Sequence, residues 1–223
     1  MKLFFSVLVC CLLLASPNKA WAKSYFSKYS VSSSGLKIGE LLWNLRIDKK
    51  KYTTEVKLNS RGFLSGLFNF SGEYITKGFI KEGYFVPTNY SQKWETRKKR
   101  RDIEIYFKDN TVNKINQTPR EIESKRIGFE GLYGYYDPLT SILNILNGSP
   151  ETKTIDGRRV YVIFLDKSQN NKSLYSIKNY KNIWTDHKRN DFEQLTIING
   201  SGAYFPDAIH INFKGRLFKV EKN

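Results

Sequence analysis

Residues able to do acid–base, nucleophilic or metal chemistry are few and scattered in this chain of 223 residues. Its two histidines, His187 and His210, are far apart in sequence, and its two cysteines are the adjacent pair Cys10 and Cys11. A zinc site needs three or four such ligands at characteristic spacings. The G-x-S-x-G, P-loop and G-x-G-x-x-G motifs are also absent from the sequence. We therefore expect a protein that is not an enzyme and that holds no metal ion or cofactor.

The strongest local charge feature is the basic segment Arg97, Lys98, Lys99, Arg100 and Arg101. It lies between two predicted strands and should form the tip of a hairpin. The whole chain has a net charge of +16, and removing the two lysines of its first 22 residues leaves +14. Such an excess favours an anionic partner, such as an anionic lipid or membrane surface. A solvated hairpin tip with no partner is the alternative interpretation.

Three further groups are candidates for ligand contacts: Phe63, Leu64, Leu67 and Phe68; Tyr133, Tyr135 and Tyr136; and Arg158. The first group predicts an apolar loop or single turn at a sheet rim. Tyrosine suits the mouth of a pocket, and a guanidinium binds a carboxylate or phosphate through two hydrogen bonds. Ordinary core packing is the simpler explanation for the tyrosines, and the Asp156-Gly157 pair indicates a hairpin turn. Arg158 and Arg159 should point to opposite faces of a strand, so at most one faces a concave interior.

The first 22 residues indicate an exported protein. Lys2 is followed by the apolar stretch from Leu3 to Ala15, and Ala20-Trp21-Ala22 is typical of a signal-peptide cleavage site. Thirteen apolar residues are fewer than the roughly 20 that span a bilayer. We expect cleavage after Ala22 and a periplasmic mature chain, residues 23–223, that forms one domain without a transmembrane helix. Both cysteines leave with the signal, and neither follows the small residue that lipidation requires. Export also makes nucleic acid an unexpected partner.

Period-two patterns dominate the mature chain. Examples are the segments 52–58, 103–107 and 209–213, in which apolar and polar residues alternate. Turn signals separate such runs, and Gly39 falls where the alternation changes phase, as at a β-bulge. The pattern predicts a mostly β protein with about ten to twelve strands in one antiparallel sheet. A sheet of this length should curl into a half-barrel or barrel with a concave inner face.

One short helix is predicted to pack on the sheet. Asp137 is a good N-cap, Pro138 suits the first turn, and Gly148 with Pro150 ends the helix. Its apolar stripe, at helical spacing, consists of Leu139, Ile142, Leu143 and Leu146.

Several motifs resemble the domain of unknown function 3108 family. They are Tyr29-Ser30-Val31, Gly35 to Glu40, Pro87 to Tyr90, Asp137 to Ser141 and Asp156 to Tyr161. The resemblance extends from about Tyr25 to Val220. It implies an exported protein of Gram-negative bacteria without an established activity. It also implies a fold similar to the curled sheet of periplasmic lipoprotein carriers.

The sequence leaves three functions open. The leading one is a non-enzymatic periplasmic protein that binds an apolar or anionic amphiphilic ligand, a lipid or a peptide segment, in the concave face. The second is a structural or interaction protein of the cell envelope, with an envelope protein as partner and a filled core. The third is an enzyme of unknown type. Large residues filling the inner face would favour the second function, and an open mouth would favour the first.

Overall fold

The computed structural model describes residues 22–60, 70–185, 191–200, 202 and 204–223. In these residues, fourteen strands form one sheet. The strands are β1 (Lys23–Ser33), β2 (Leu36–Asp48), β3 (Lys51–Ser60), β4 (Phe70–Lys81), β5 (Tyr84–Thr96), β6 (Arg100–Lys108), β7 (Thr111–Thr118), β8 (Tyr135–Tyr136), β9 (Glu151–Ile155), β10 (Arg159–Gln169), β11 (Lys172–Asn182), β12 (Phe192–Ile198), β13 (Ala208–Phe213) and β14 (Arg216–Lys222). Helix α1 is Pro138–Leu146, and Phe129–Gly131 is a short 3₁₀ turn.

The sheet is a nearly closed barrel. Strands β1 to β7 form one antiparallel meander, and strands β9 to β14 form another. The two meanders are joined by the antiparallel pairing of β1 with β14. The short strand β8 pairs with β9 in parallel. The two outermost strands approach each other where Thr111 bridges Tyr133 and the Gly134 amide donates to Asn110 O at 2.8 Å. The predicted curled antiparallel sheet is confirmed. Its strands outnumber the predicted ten to twelve because β8 and β9, with two and five residues, are too short for their alternation to be recognised.

The predicted alternation determines which side chains face the interior. Tyr52, Thr54 and Val56 are buried, as predicted for one face of β3. The bulge predicted at Gly39 is present: Val31 pairs with Gly39 and Ser32 with Lys37, which leaves one extra residue on β2.

The barrel has two distinct ends. At the lower end are the turns at residues 49–50, 82–83, 109–110 and 170–171. At the upper end are the connections at residues 34–35, 97–99, 156–158 and 214–215. Strand β3 ends and strand β4 begins at the upper end, where the Phe70 amide donates to Ser60 Oγ at 2.9 Å.

Helix α1 lies inside the barrel and extends toward the lower end. Its N-cap is Asp137, as predicted, and Thr76, in the middle of β4, donates to the Asp137 carboxylate at 2.6 Å. At the other end of the helix, the side-chain amide of Asn147 donates to Gly83 O at 2.7 Å in the lower turn. Gly148 follows with a φ of +96°, which favours glycine and ends the helix.

Candidate functional site

The polar side of helix α1 is fixed to one wall of the barrel. The Tyr52 hydroxyl on β3 and Thr140 Oγ1 share a hydrogen bond of 2.7 Å. The Asn144 side chain accepts from the Phe85 amide at 2.8 Å and donates to Phe85 O at 2.9 Å. Both backbone polar groups of Phe85, on β5, therefore form hydrogen bonds with the helix. These contacts determine the position of the helix between its neighbours and leave its opposite side free to face the interior.

Asp137 is the most deeply buried ionisable group in this anchor. Its carboxylate accepts from the amides of Leu139 and Thr140 at 3.0 and 3.1 Å and from the hydroxyls of Thr76 and Thr140. Burial raises the pKa of Asp137 above its ordinary value, although these hydrogen bonds act in the opposite direction. Burial also raises the pKa of Tyr52, and the nearby Asp137 charge adds to that effect. Both carboxylate oxygens are engaged by protein donors, so the group serves to anchor the helix.

An apolar cavity of about 240 Å³ lies on the other side of the helix. Pro138, Leu139 and Ile142 form one wall, and the opposite wall comes from β1, β2, β10, β12, β13 and β14. Its volume exceeds the ~150 Å³ of an apolar cavity that binds benzene. It is below the range of about 300–1,000 Å³ typical of sites for drug-sized ligands. The cavity therefore has room for one short apolar chain or chain segment.

The cavity opens toward the upper end of the barrel. On β2, the inward-facing Leu45 is buried, Leu41 is half-buried, and Leu36 at the rim is exposed. On β13, Ile209 is buried and Ile211, two residues nearer the upper end, is half-buried. Among the described residues of both strands, the exposure of the inner wall therefore increases toward the upper end.

The lower end is closed by aromatic side chains below the helix. The Phe85 ring contacts Tyr52 edge-on, with 5.0 Å between ring centroids, and Tyr204 at 6.4 Å. Trp43, which also lines the cavity, and Phe205 are 5.1 Å apart by the same measure. The interior therefore has a filled lower half and an upper half with free volume on the side of β1, β2 and β12 to β14. The other side of the upper half is packed by a second buried cluster that includes Ile103, Ile155 and Val160.

The basic segment forms a hairpin tip at the upper end, as predicted. Residues 97–99 connect β5 to β6 and are exposed. Arg100 pairs with Asp102, with 3.2 Å between guanidinium nitrogen and carboxylate oxygen. Arg101 instead points toward the inner side, where it donates to Gln117 Oε1 at 3.0 Å. The five basic side chains therefore do not form one continuous surface.

Arg158 is close to Arg101 at the same end. The Glu121 carboxylate lies 3.9 Å from a guanidinium nitrogen of each arginine. The predicted turn is also present, because the amides of Arg158 and Arg159 donate to Asp156 Oδ1 at 2.9 and 2.8 Å. Arg158 thus belongs to a charge cluster at the upper end, and the cavity lining does not include it.

The candidate tyrosines are far from this cluster. Tyr133 is exposed, and Tyr135 and Tyr136 are half-buried in β8. They lie at the seam of the barrel next to the lower turn at Asn110. The structure therefore separates the tyrosine group from Arg158 and from the basic hairpin.

The candidates Phe63, Leu64, Leu67 and Phe68 lie outside the described residues, as does His187. His210 is on the outer face of β13, as predicted, with its imidazole 3.8 Å from Glu221. Burial lowers the pKa of His210. Within the described ranges, no three histidine, cysteine or acidic side chains are grouped for metal binding. Helices in the same residues are all too short or too polar to cross a bilayer.

The cavity lining is the functional feature that the sequence analysis missed. Alternation already predicts that Ile209 and Ile211 face inward, but it does not reveal whether the space between opposite walls is filled. The buried polar side of α1 was also missed, because Thr140 and Asn144 at helical spacing are typical of a solvent-exposed face.

These features define a class of protein: a nearly closed antiparallel barrel with an internal helix and an apolar cavity at one end. The family model described as "Protein of unknown function (DUF3108)" matches residues 28–206, and the chain belongs to this family. The resemblance noted from the sequence motifs is thereby confirmed.

A solved structure shares the fold. It is the crystal structure of a beta-barrel-like protein of domain of unknown function DUF1849 from Brucella abortus. The TM-score is 0.50, and the similarity covers 89% of this chain and 95% of that chain at 9% sequence identity. At this identity the similarity shows the fold alone. Among curated proteins, none matches the chain.

Proposed function

We propose that this protein is a non-enzymatic binder of an amphiphilic ligand, and that it holds one apolar chain of the ligand in the barrel cavity. The observation that carries the proposal is the cavity of about 240 Å³ between helix α1 and the opposite wall, lined almost wholly by apolar side chains. Burial of apolar surface supplies the affinity, at about 0.8 kcal/mol for each methylene group removed from water.

The route into the cavity supports the same proposal. On β2 and β14 the inner wall stays apolar up to the rim, where Leu36 and Phe218 both lie opposite Ser33. Basic residues stand at the same end, in the turn at 97–99 and at Arg216. A ligand whose apolar chain points inward would place its polar head near these cations, so an anionic head is favoured over a cationic one.

A second candidate function is that of a structural or interaction protein of the cell envelope. The filled lower half favours it, because the aromatic residues and the anchored helix there leave a packed core. An envelope protein would then be the partner, and the upper cavity would have no ligand.

Two neighbouring residues of β2 provide the test. Leu41 lines the cavity, and Leu42 is the next residue, on the outer face. Binding of a fluorescent polyene fatty acid is measured by titration for Leu41→Trp and for the matched control Leu42→Trp. We expect the first variant to lose at least tenfold in affinity and the second to bind like the unchanged protein. Equal binding by all three proteins, each with an intact thermal transition, would contradict a chain site in the cavity.

Native mass spectrometry tests whether the protein carries a natural ligand. Protein isolated from its own cell envelope should carry a bound mass that is an amphiphile, and the Leu41→Trp variant should lack it. A protein without bound mass that also fails the fatty-acid titration would favour the structural function.

The proposed site of action is the periplasm. The sequence pattern of residues 1–22 supports export, and strand β1 begins at Lys23, the residue after the proposed cleavage site. Cell fractionation followed by amino-terminal sequencing should find Lys23 as the first residue of a periplasmic protein. Recovery of a membrane-embedded chain that begins at Met1 would contradict export.

A further inference from the structure

We propose that the upper end of the barrel docks reversibly on an anionic lipid bilayer, so that the cavity mouth faces the membrane. The bilayer is then the source from which an apolar chain enters the cavity. This last step rests on the proposed function, but docking itself is a property of the outer rim and is tested separately.

Three exposed apolar side chains stand on the upper end. Ile122, in the connection that follows β7, is 91% exposed; Leu36, the first residue of β2, is 58% exposed; and Leu217, near the start of β14, is 43% exposed. Leu36 and Leu217 lie on either side of Ser33, which pairs with Leu36 and whose hydroxyl donates to Leu217 O at 3.2 Å. Single exposed apolar residues are ordinary on a protein surface. Leu36 and Ile122 stand at the upper end, and Leu217 stands on the outer face of the same rim, so the three form a surface that a bilayer interface would bury.

Basic residues accompany each of these apolar residues. Lys37 follows Leu36, Arg216 precedes Leu217, and Arg120 lies two residues before Ile122. The turn at 97–99 adds three more exposed cations at the same end.

Several acids at the upper end already have cationic partners within the protein. Asp102 pairs with Arg100 at 3.2 Å, and Asp191 pairs with Lys214 at 3.6 Å. Glu121 lies between Arg101 and Arg158. The negative charge of these acids is therefore partly neutralised by cations within the protein, whereas the cations of the turn at 97–99 are exposed to solvent. This charge distribution favours an anionic bilayer as the partner of the upper end.

The lower end provides a matched control because it is also basic. Lys49, Lys50 and Lys51 are exposed at the turn between β2 and β3, just as residues 97–99 are exposed between β5 and β6. Exposed aromatic residues, Phe79 and Tyr84, lie beside that lower turn as well. The interior is closed at that end, so docking there would not bring the mouth to the membrane.

The experiment compares two triple variants of the full chain in vesicle co-sedimentation. One is Arg97→Gln, Lys98→Gln, Lys99→Gln, and the other is Lys49→Gln, Lys50→Gln, Lys51→Gln, which has the same net charge. Vesicles are phosphatidylcholine with and without phosphatidylglycerol. We expect the upper variant to lose about fivefold in affinity for anionic vesicles per residue changed, and part of its salt dependence, since Lys37, Arg120 and Arg216 remain. The lower variant should stay within about twofold of the unchanged protein, since its cations would lie beyond a Debye length of ~8–10 Å from the membrane.

A second comparison tests the apolar contribution at physiological salt. Ile122→Ser, Leu36→Ser, Leu217→Ser together should weaken vesicle binding about tenfold or more, because their burial in the interface is lost. The control is Phe26→Ser, which removes a 61% exposed aromatic residue from the outer wall of β1 and should leave binding unchanged.

Each result supports or overturns the docking proposal. Equal loss in the upper and lower triple variants would overturn it, because attraction would then depend on net charge alone. Absence of binding to protein-free anionic vesicles would also overturn it, even if a membrane fraction containing proteins were bound. Fatty-acid titration without vesicles separates this proposal from the cavity site: the upper triple variant should bind the probe normally. A Leu41→Trp variant that loses the probe should still dock on vesicles.

Discussion

The lower and upper halves of this barrel are built from the same strands and yet have different interiors. On β2, Leu45 in the lower half is buried, and Leu41 in the upper half is half-buried and lines the cavity. Both residues are leucines that face inward, so strand sequence alone does not make the difference. It arises because aromatic side chains fill the lower half, whereas the space between Leu41 and the apolar side of helix α1 stays free.

The two sides of helix α1 differ in their chemistry. Thr140 and Asn144 on one side form hydrogen bonds with the wall, and Leu139 and Ile142 on the other side line the cavity. A helix held only by apolar contacts could shift to fill the space, since dense packing is the favoured state of a protein interior. Directional hydrogen bonds to Tyr52 and Phe85 oppose such a shift. The lower half therefore supplies the stability that allows the upper half to keep free volume.

The largest effect should come from truncating a side chain in the filled half. Leu143→Ala removes a fully buried leucine of α1 and should lower the free energy of unfolding by about 2–5 kcal/mol. Ile142→Ala, one residue earlier and next to the cavity, should cost about half as much because its side chain has fewer packed neighbours to lose. Urea denaturation measures both values. Equal costs would mean that the two sides of the helix are packed alike.

The anchor of the helix should give the next largest effect. Asp137→Ala removes an N-cap, worth about 0.5–2 kcal/mol, and leaves buried hydroxyl donors without their acceptor, at about 1–3 kcal/mol. Asp156→Ala is the matched control, because Asp156 also accepts from two amides but sits in a partly exposed turn. We expect a loss of about 1 kcal/mol there. Denaturation curves in which Asp156→Ala is the more damaging change would argue against the anchor.

Adding side-chain volume should change the stability of the protein in opposite directions in the two halves of the barrel. Leu45→Phe adds volume to the filled half and should destabilise the protein by about 1–3 kcal/mol. Leu41→Phe adds the same volume at the cavity, where filling should be neutral or stabilising by about 0.5–2 kcal/mol. Thermal unfolding at one pH compares the two variants directly. If Leu41→Phe were as damaging as Leu45→Phe, the upper half could not contain free space.

Local features of the fold were predictable because short-range physics determines them. Ile209 and Ile211 face inward on β13 through simple alternation, and Asp137 caps α1 through hydrogen bonds to residues two and three positions away. The inward orientation of the Arg101 side chain was also predictable from the sequence. Arg101 precedes the buried Ile103 by two residues, so period two places its side chain on the inner side of β6, away from the exposed turn.

The interior of the barrel was not predictable, because it depends on contacts between distant residues. Thr140 meets Tyr52 across 88 positions, and Asn144 meets Phe85 across 59. No pattern in a single helix reveals that its polar side will find such partners in a barrel wall. For the same reason, the free volume beside the helix follows only from the whole arrangement.

The pH dependence of stability should give the smallest effect, and it tests the anchor between the two halves. Burial raises the pKa of Asp137, so the folded state holds this proton more tightly than the unfolded chain does. The contribution of this group to stability is therefore greatest below the unfolded value of about 3.9 and declines as pH rises toward the folded pKa. Asp137→Asn removes the titration while keeping the size of the side chain.

The measurement is the difference in unfolding free energy between the unchanged protein and Asp137→Asn at several pH values. We expect the advantage of the unchanged protein to shrink as pH rises from about 4, because the buried carboxyl must ionise without access to water. An advantage that grows with pH would mean that the four hydrogen bonds from Thr76, Leu139 and Thr140 stabilise the charged form more than burial destabilises it. In that case the helix would be held in place by an ion, and its anchor would strengthen toward neutral pH.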